Sequence, residues 1–368
     1  MPDDGAYRRT MTTISPPAID EERLGALLGQ AVVEIGATAG AALIVIGDRL
    51  GLYRALAEHG PLSSAELAER TGTAERYVRE WLNAQAASGW VDYDAAAERY
   101  RMSPEQALMF ADPLSPAFVT GGFQLALGAA GARDRIGDAF TSGAGFGWHE
   151  HEHDVFDGCR RFFEPGYRAN LVQSWIPALE GANERLQAGG RVADVGCGEG
   201  ASSILIAQAY PNAEVCGTDS HAGSIAQARR LAAEAGVGDR VSFGVASAEA
   251  LGPDAYDLVC TFDCLHDMGD PVAAARRVRD ALAPGGTWMI VEPRAGDRVE
   301  DNLNPVGRAY YAFSTLLCCP SSLSQEGGLA LGGQAGEARL REVLRAAGFD
   351  HVRRVAETPI NLVLEARP

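Results

Sequence analysis

Apolar residues recur at helical spacing from Asp20 to about Gly60. Leu24, Leu27, Leu28, Ala31, Val32 and Ile35 trace one stripe, and Leu43 to Leu56 continues it beyond Gly40. Pro61 breaks the pattern. Ser63-Ser64-Ala65-Glu66 then reads as a capping box, with Ser63 at the N-cap and Glu66 three residues on, and predicts a short helix to Arg70. After the turn Thr71-Gly72-Thr73 a second helix is expected from Ala74 to Ala87. Tyr77, Val78, Trp81, Leu82 and Gln85 share one of its faces, and Glu75, Arg76, Arg79, Glu80 and Asn83 the other. Trp90 to Tyr93 and Arg99 to Met102 are strand-like runs joined by Asp94-Ala95-Ala96-Ala97-Glu98. Helix, turn, helix and hairpin together predict a winged helix.

Residues 104–190 read as a linking region, helical in places. Gly143-Ala144-Gly145-Phe146-Gly147 suggests a flexible loop, followed by Trp148-His149-Glu150-His151-Glu152-His153-Asp154. Alternation would set the three histidines on one side of an extended chain, as a metal site requires. Without a fourth ligand the segment is expected to be a solvated polar loop. A helix from Phe162 to Leu179 carries Glu164, Tyr167, Arg168 and Trp175 onward. Short buried strands are then expected at Arg191–Val195, Ala213–Thr218, Val241–Val245, Tyr256–Phe262 and Gly286–Glu292, alternating with helices. A helix from Gly336 to Ala347 precedes two closing strands, His351–Val355 and Ile360–Glu365. The expected fold class is therefore α/β, a mostly parallel sheet preceded by a helical and winged-helix unit. The divisions are a flexible arm at 1–18, a helical and winged-helix dimerisation domain at 19–110, a helical linker and substrate lid at 111–184, and an α/β domain at 185–368 with an insertion at 302–333.

Composition narrows the chemistry. All 32 cationic side chains are Arg, so phosphate loops and Schiff-base cofactors that depend on Lys are excluded. The net charge of −17 repels phosphate backbones, and the expected winged helix offers only Arg99 and Arg101 on its wing against Asp92, Asp94 and Glu98. Nucleic acid is therefore not expected as the main partner. Seven irregularly spaced cysteines suggest reduced thiols rather than a disulfide framework or a zinc site. The longest apolar stretch recognised, Ala37 to Ile46, is too short to span a bilayer. A cytoplasmic protein without a membrane segment is the expectation.

The first sheet strand runs straight into Gly196-Cys197-Gly198-Glu199-Gly200, and a helix follows from Ala201. Glycines there let the backbone turn tightly and approach a ligand whose polar end meets amides at a helix N-terminus. Asp194 sits two positions before the first glycine. Asp219 ends the second strand, where an acid can accept hydrogen bonds from a ribose diol. Ala201 stands where the dinucleotide fingerprint would have its last glycine, which leaves a nicotinamide oxidoreductase as the structural rival.

Asp194-Val195-Gly196-Cys197-Gly198-Glu199-Gly200 resembles the acid-x-Gly-x-Gly-x-Gly motif of class I S-adenosylmethionine-dependent methyltransferases. The resemblance implies a Rossmann-like seven-stranded sheet with a C-terminal antiparallel hairpin from about residue 185 onward. It also implies S-adenosylmethionine as cofactor and S-adenosylhomocysteine as product. Gly196, Cys197 and Gly198 would cradle the methionine end, Asp194 its amino group, Asp219 the ribose, and Ala246 and Ser247 the adenine surroundings, with Ser220 also in the cofactor set. Tyr167 and Phe262 complete the expected cofactor set. The segments around Phe163-Glu164-Pro165-Gly166-Tyr167, Phe262 to Pro271 and Gln334-Ala335-Gly336-Glu337 resemble a bacterial subfamily with a winged helix fused in front. That likeness implies a homodimer joined through the N-terminal domain.

Ligands in open α/β sheets bind beyond the carboxyl ends of the strands, where the fourth strand delivers His266 and Asp267 and the fifth delivers Glu292. Methyl transfer is an in-line displacement that needs alignment and a deprotonated nucleophile, and a histidine suits the proton transfer. Leu265-His266-Asp267 is similar to the segment that carries the general base in winged-helix small-molecule O-methyltransferases. His266 is thus the candidate base, Glu292 its orienting acid and Asp267 a neighbouring acid. His266 with Asp267 lacks a clear further metal ligand, and no metal is expected. The aromatic insertion around Tyr310, Tyr311 and Phe313 either covers a pocket or packs in the core. The function expected is methylation of a small, apolar or aromatic acceptor; the alternative is a winged-helix transcriptional regulator that uses the cofactor fold as a sensor.

Overall fold

The computed structural model describes residues 19–368; the arm assigned to residues 1–18 lies outside the described residues. The first helix, α1 (Glu21–Arg49), is capped by the Asp20 carboxylate, which accepts from the Arg23 amide. Gly51, at φ +69°, then splits the expected continuous helix, and α2 (Leu52–His59) begins beyond it. A left-handed residue cannot continue a right-handed helix, so the break falls ten residues before Pro61. The capping box forms as expected and starts α3 (Ser64–Thr71), followed by α4 (Glu75–Ala87). Strands β1 (Asp92–Asp94) and β2 (Arg99–Arg101) pair antiparallel as the wing, and α5 (Pro104–Phe110) closes the unit.

Its core gathers Tyr53, Leu67, Trp81, Leu82 and Phe110. Gln85 is buried as expected of its face and accepts from the Tyr53 hydroxyl at 2.6 Å. Tyr77 differs from expectation: it is 81% exposed. It stands one residue, about 100° of helical rotation, from Val78, and the buried stripe runs through Val78, Trp81, Leu82 and Gln85.

Three further helices, α6 (Thr120–Gly131), α7 (Arg133–Ser142) and α8 (His153–Asn170), lead to the sheet. The α6 and α8 backbones touch. A Cβ on Gly158 would fall 2.5 Å from the Leu125 amide nitrogen, and one on Gly121 would fall 2.5 Å from the Arg161 carbonyl carbon. The contact therefore requires glycine at both positions.

The sheet comprises β3 (Arg191–Val195), β4 (Glu214–Asp219), β5 (Val241–Val245), β6 (Tyr256–Phe262), β7 (Leu282–Pro293), β8 (His351–Glu357) and β9 (Asn361–Arg367). Their spatial order is β5-β4-β3-β6-β7-β9-β8. β3 to β7 pair parallel, whereas β9 runs antiparallel between β7 and β8. Strand order reverses at β3, which opens a crevice over the carboxyl ends of β3, β4 and β6. The seven-stranded α/β sheet with its closing hairpin is the expected one.

The first apolar run is longer than expected, and one expectation is corrected. By length and composition α1 qualifies as a helix able to cross a membrane, with a mean hydropathy of 1.7 over its most apolar window, only 11% of which is buried. The run Ala37–Ile46 was too narrow a frame because the apolar character extends back through Leu24, Leu27, Leu28, Val32 and Val33, all exposed. Nor is the histidine tract a solvated loop. His149 lies in a short turn and is exposed, His153 begins α8, and His151 is buried edge-on against Phe146 at 4.5 Å.

Neither ring nitrogen of His151 has a hydrogen-bond partner. Burial, aided by the Arg135 charge, pulls its pKa down from the ordinary 6.5 to about 4. The folded chain thus holds this ring neutral, and its contribution to stability is present above pH 6.5 and lost as pH falls towards 4. We predict that His151→Phe shows a smaller loss of urea stability across that interval than the parent chain. Parallel losses in the two proteins would contradict the assignment.

Candidate active site

The bend leaving β3 is built from Gly196, Gly198 and Gly200, all at positive φ. Gly200, at φ +81°, also has no room for a Cβ, which would meet the Phe243 ring at 2.8 Å; nothing lies within 4 Å of the Cβ position of Gly198. The loop is thus packed from behind and open in front. It feeds the helix Ala201–Ala209, whose N-terminal amides face the same opening.

Asp219 secures the loop from the end of β4. One carboxylate oxygen accepts from the Gly198 amide at 2.9 Å and the other from the His221 amide at 2.8 Å. Asp194, fully buried, accepts from the Ser202 and Ser203 hydroxyls through Oδ2, both at 2.6 Å, while its Oδ1 has no hydrogen-bond partner. Burial pushes Asp194 up to about 6 and raises Asp219 as well. Two carboxylates in so dry a place favour a ligand with positive charge.

In front of this loop lies a cavity of about 1070 Å³. Of the expected cofactor residues, Tyr167, Gly196, Cys197, Gly198, Asp219, Ser220, Ala246, Ser247 and Phe262 line it, and Asp194 stands just behind the wall. Asp267 lines it too, whereas His266 and Glu292 lie beneath the surface, at 3% and 1% exposure.

The expected dyad is formed. Glu292, from β7, accepts from His266 Nδ1 at 2.5 Å through one oxygen and from the Leu265 amide at 3.0 Å through the other. That acceptor keeps a proton on Nδ1 and leaves Nε2 facing Asp267 and Cys318. Nε2 lies 3.1 Å from Asp267 Oδ1 and 3.3 Å from Cys318 Sγ. Burial would lower the imidazole pKa, but the charges of Glu292 and Asp267 outweigh it and hold the group well above its ordinary value.

Several wall residues carried no sequence motif. Arg160, on α8, donates through Nε to Glu199 at 2.9 Å, through Nη1 to Glu164 at 2.7 Å and through Nη2 to Asp157 at 2.7 Å. It thereby ties α8 to the glycine loop. Phe156 stacks on His221 at 4.1 Å between ring centres and, with Trp148 and His149, borders the cavity. Asp263, at φ +49° beyond β6, is a half-buried wall residue whose carboxyl is pushed well up by desolvation and the Glu292 charge. Asn361 donates to both its oxygens at 2.9 and 3.2 Å, and the Tyr167 hydroxyl donates at 3.4 Å. Glu199 was legible inside the glycine motif; Arg160, Phe156 and Asn361 lie too far away in the chain.

The insertion divides its work. Tyr310 is buried, and Leu317 and Cys318 pack against Leu125, Ala129 and Val155 of α6 and α8. Its later part, Ser321 and Ser324 to Gly327, borders the cavity. Of the aromatic start, Tyr310 is buried and Phe313 packs half-buried against the same cluster, whereas the polar end forms part of the wall.

Comparison with known proteins finds two family matches, an Rv2258c-like winged HTH domain at residues 38–111 and a methyltransferase domain at residues 186–348. Among curated relatives, the 27-O-demethylrifamycin SV methyltransferase of Amycolatopsis mediterranei is 33% identical over 139 residues, 36% of this chain and 51% of that one. The matches span roughly a quarter to a half of the length of the first curated relatives. Among solved structures, human N-acetylserotonin methyltransferase in complex with SAM superposes with a TM-score of 0.67 at 17% identity, covering 96% of this chain and 99% of the other. Mitomycin 7-O-methyltransferase gives 0.66 at 17%, covering 95% and 100%. At such identities the likeness is one of fold, and it runs through both domains.

The Asp263–Asn361 contact yields a stability prediction. Asn361→Ala removes the amide from a buried carboxyl group and is expected to cost about 1–3 kcal/mol in urea unfolding. A change within error would mean that the contact contributes nothing.

Proposed function

We propose, from the premise that this chain belongs to the class I S-adenosylmethionine-dependent methyltransferases that carry a winged helix in front, that it methylates a small, apolar or aromatic acceptor. The observation that carries the reading is the open face of the Gly196–Gly200 bend, with Asp219 pinned beneath Gly198 and the orphaned Asp194 oxygen behind it. That oxygen and the raised carboxylates suit the ammonium and sulfonium charges of S-adenosylmethionine. Each carboxylate oxygen of Asp219 keeps a free lone pair for a ribose hydroxyl. Ser220, Ala246 and Ser247 offer a neighbouring wall for the base. Bound there, the cofactor supplies an activated methyl group and leaves as S-adenosylhomocysteine.

The residues of the chain supply alignment and proton transfer. Phe156, Phe163, Tyr167, Phe262 and Met268 give the cavity an apolar side, which supports an apolar or aromatic acceptor. In its neutral form, which the charges of Glu292 and Asp267 disfavour, His266 takes the acceptor proton on Nε2, and Glu292 on Nδ1 stabilises the imidazolium that results. Asp267 favours the same charge from the cavity side. Because Cys318 stands against Nε2, the acceptor must displace that thiol to reach the base.

The uncovered apolar stripe of α1, with Leu24, Leu27, Leu28 and Val32 exposed, supports a homodimer through the N-terminal domain. The regulator alternative draws no support from the winged helix. Arg76 and Arg79 of α4 pair with Glu80 and Glu75, while Arg99 and Arg101 of the wing pair with Glu66 and Asp92. These cations are already neutralised, whereas phosphate binding needs them free.

Two measurements test the reading. Asp219→Ala should weaken S-adenosylmethionine markedly in calorimetry, by roughly tenfold or more for a charge-assisted pair of hydrogen bonds; parental affinity would reject the cofactor assignment. His266→Ala should keep cofactor affinity and lose about 10²–10⁴-fold in turnover, the usual worth of a positioned base. Screening a metabolite panel for S-adenosylhomocysteine release identifies the acceptor on which to measure it, and undiminished turnover there would remove His266 from the role.

A further inference from the structure

We propose that His266, Asp267 and Cys318 form a binding site for one thiophilic divalent cation, zinc above all, and that filling it switches off the base. The binding half of the inference stands on geometry; the switching half rests on the base assignment of His266.

One ligand atom from each of His266, Asp267 and Cys318 lies within 4.8 Å of the other two. The two distances that involve Nε2 are 3.1 Å to the carboxylate oxygen and 3.3 Å to the sulfur. A tetrahedral zinc with bonds of about 2.0–2.3 Å holds adjacent ligand atoms roughly 3.3–3.7 Å apart. The trio therefore needs only small side-chain adjustments to close on an ion.

Two further observations point the same way. Oδ1 of Asp267 is buried and its one polar neighbour on the imidazole is His266 Nε2, at 3.1 Å but outside hydrogen-bond geometry, so an ion that replaces the Nε2 proton meets this oxygen at once. On the far side of the imidazole, Glu292 accepts from Nδ1 at 2.5 Å and is itself held by the Leu265 amide. Metal-binding histidines commonly have such an outer carboxylate, which fixes the tautomer and raises the basicity of the ligating nitrogen. One imidazole nitrogen, one carboxylate oxygen and one sulfur form a borderline-soft set that favours zinc over magnesium or calcium.

Three protein ligands leave a fourth position, and Asp267 lines the cavity, so that position lies towards the acceptor side. On binding, the Cys318 sulfur–hydrogen bond and the Nε2–hydrogen bond of the imidazolium both break, the two protons pass to solvent, and sulfur–zinc and nitrogen–zinc bonds form. Nε2 then donates its lone pair to the ion and has none left for the acceptor proton. The same atom cannot serve both ends, so zinc acts as an inhibitor that a chelator removes.

The full chain, treated with a chelator and dialysed, is titrated with Zn²⁺ by calorimetry and with Co²⁺ by absorption spectroscopy. One equivalent is expected, with a thiolate-to-cobalt charge-transfer band and zinc inhibition of turnover. Cys318→Ser, which is nearly isosteric, should abolish the band and weaken zinc by more than the roughly 10–100-fold that loss of an outer partner costs. Asp267→Asn serves as a second variant, with the band kept and affinity reduced. Absence of stoichiometric binding, or unchanged affinity in both variants, overturns the site. Stoichiometric binding at these residues with turnover unaffected would instead uphold the site and overturn the switching role along with the base assignment.

Discussion

The backbone contact between α6 and α8 is the constraint on which the candidate site depends. With glycine at 121 and 158 the two helices come close enough that any larger residue would collide with the opposing main chain. This closeness seats α8 against the mouth of the sheet and brings Arg160 to Glu199, Tyr167 to Asp263 and Phe156 to His221. It also joins the cavity to the N-terminal unit. Arg161 spans Asp48 of α1 and Gln124 of α6, and Gln124 reaches Asp157, the partner of Arg160. A polar chain thus runs from the first helix to the glycine loop. Strain at either end has a physical route to the other, because these groups are partly buried and cannot exchange partners with water cheaply.

The second organising feature is a concentration of carboxyl groups that meet amides, hydroxyls and a single imidazole but, among the described residues, no arginine. Asp194, Asp219 and Glu292 are buried and Asp263 half-buried around one opening. Desolvation raises the three aspartates. Such an arrangement costs stability in the empty protein and favours whatever cation enters. On the proposed reading that cation is a sulfonium nucleoside at the glycine loop. At His266 the same field favours a proton or an ion on Nε2. The acidic surface and the acidic interior therefore have different consequences: the first discourages nucleic acid, and the second selects for positive charge inside a small cavity.

Much of this was readable along the chain. The winged helix, the alternation of strands and helices, the Gly196–Gly200 bend and the Asp219 and Glu292 strand ends follow from period, glycine spacing and turn chemistry, which are local properties. The misreadings also have local causes. Gly51 breaks the first helix through a single left-handed residue, and Tyr77 falls outside a stripe whose centre lies one residue further on. His151 looked solvated because its neighbours Glu150 and Glu152 are polar, yet Phe146 and Trp148 fold over it.

The sequence by itself determined which segments are helix or strand, where the chain bends around a ligand and which titratable groups reach the sheet edge. Only the tertiary structure decided what those groups meet there. Cys318 lies 52 residues from His266, Asn361 98 from Asp263 and Glu199 39 from Arg160. No periodicity links such pairs, since their meeting depends on how helices dock on the sheet rather than on dihedral preferences within either segment. The third member of the cation site was invisible for that reason: its only local signal was a cysteine in an apolar run, and packing alone brought it to the imidazole.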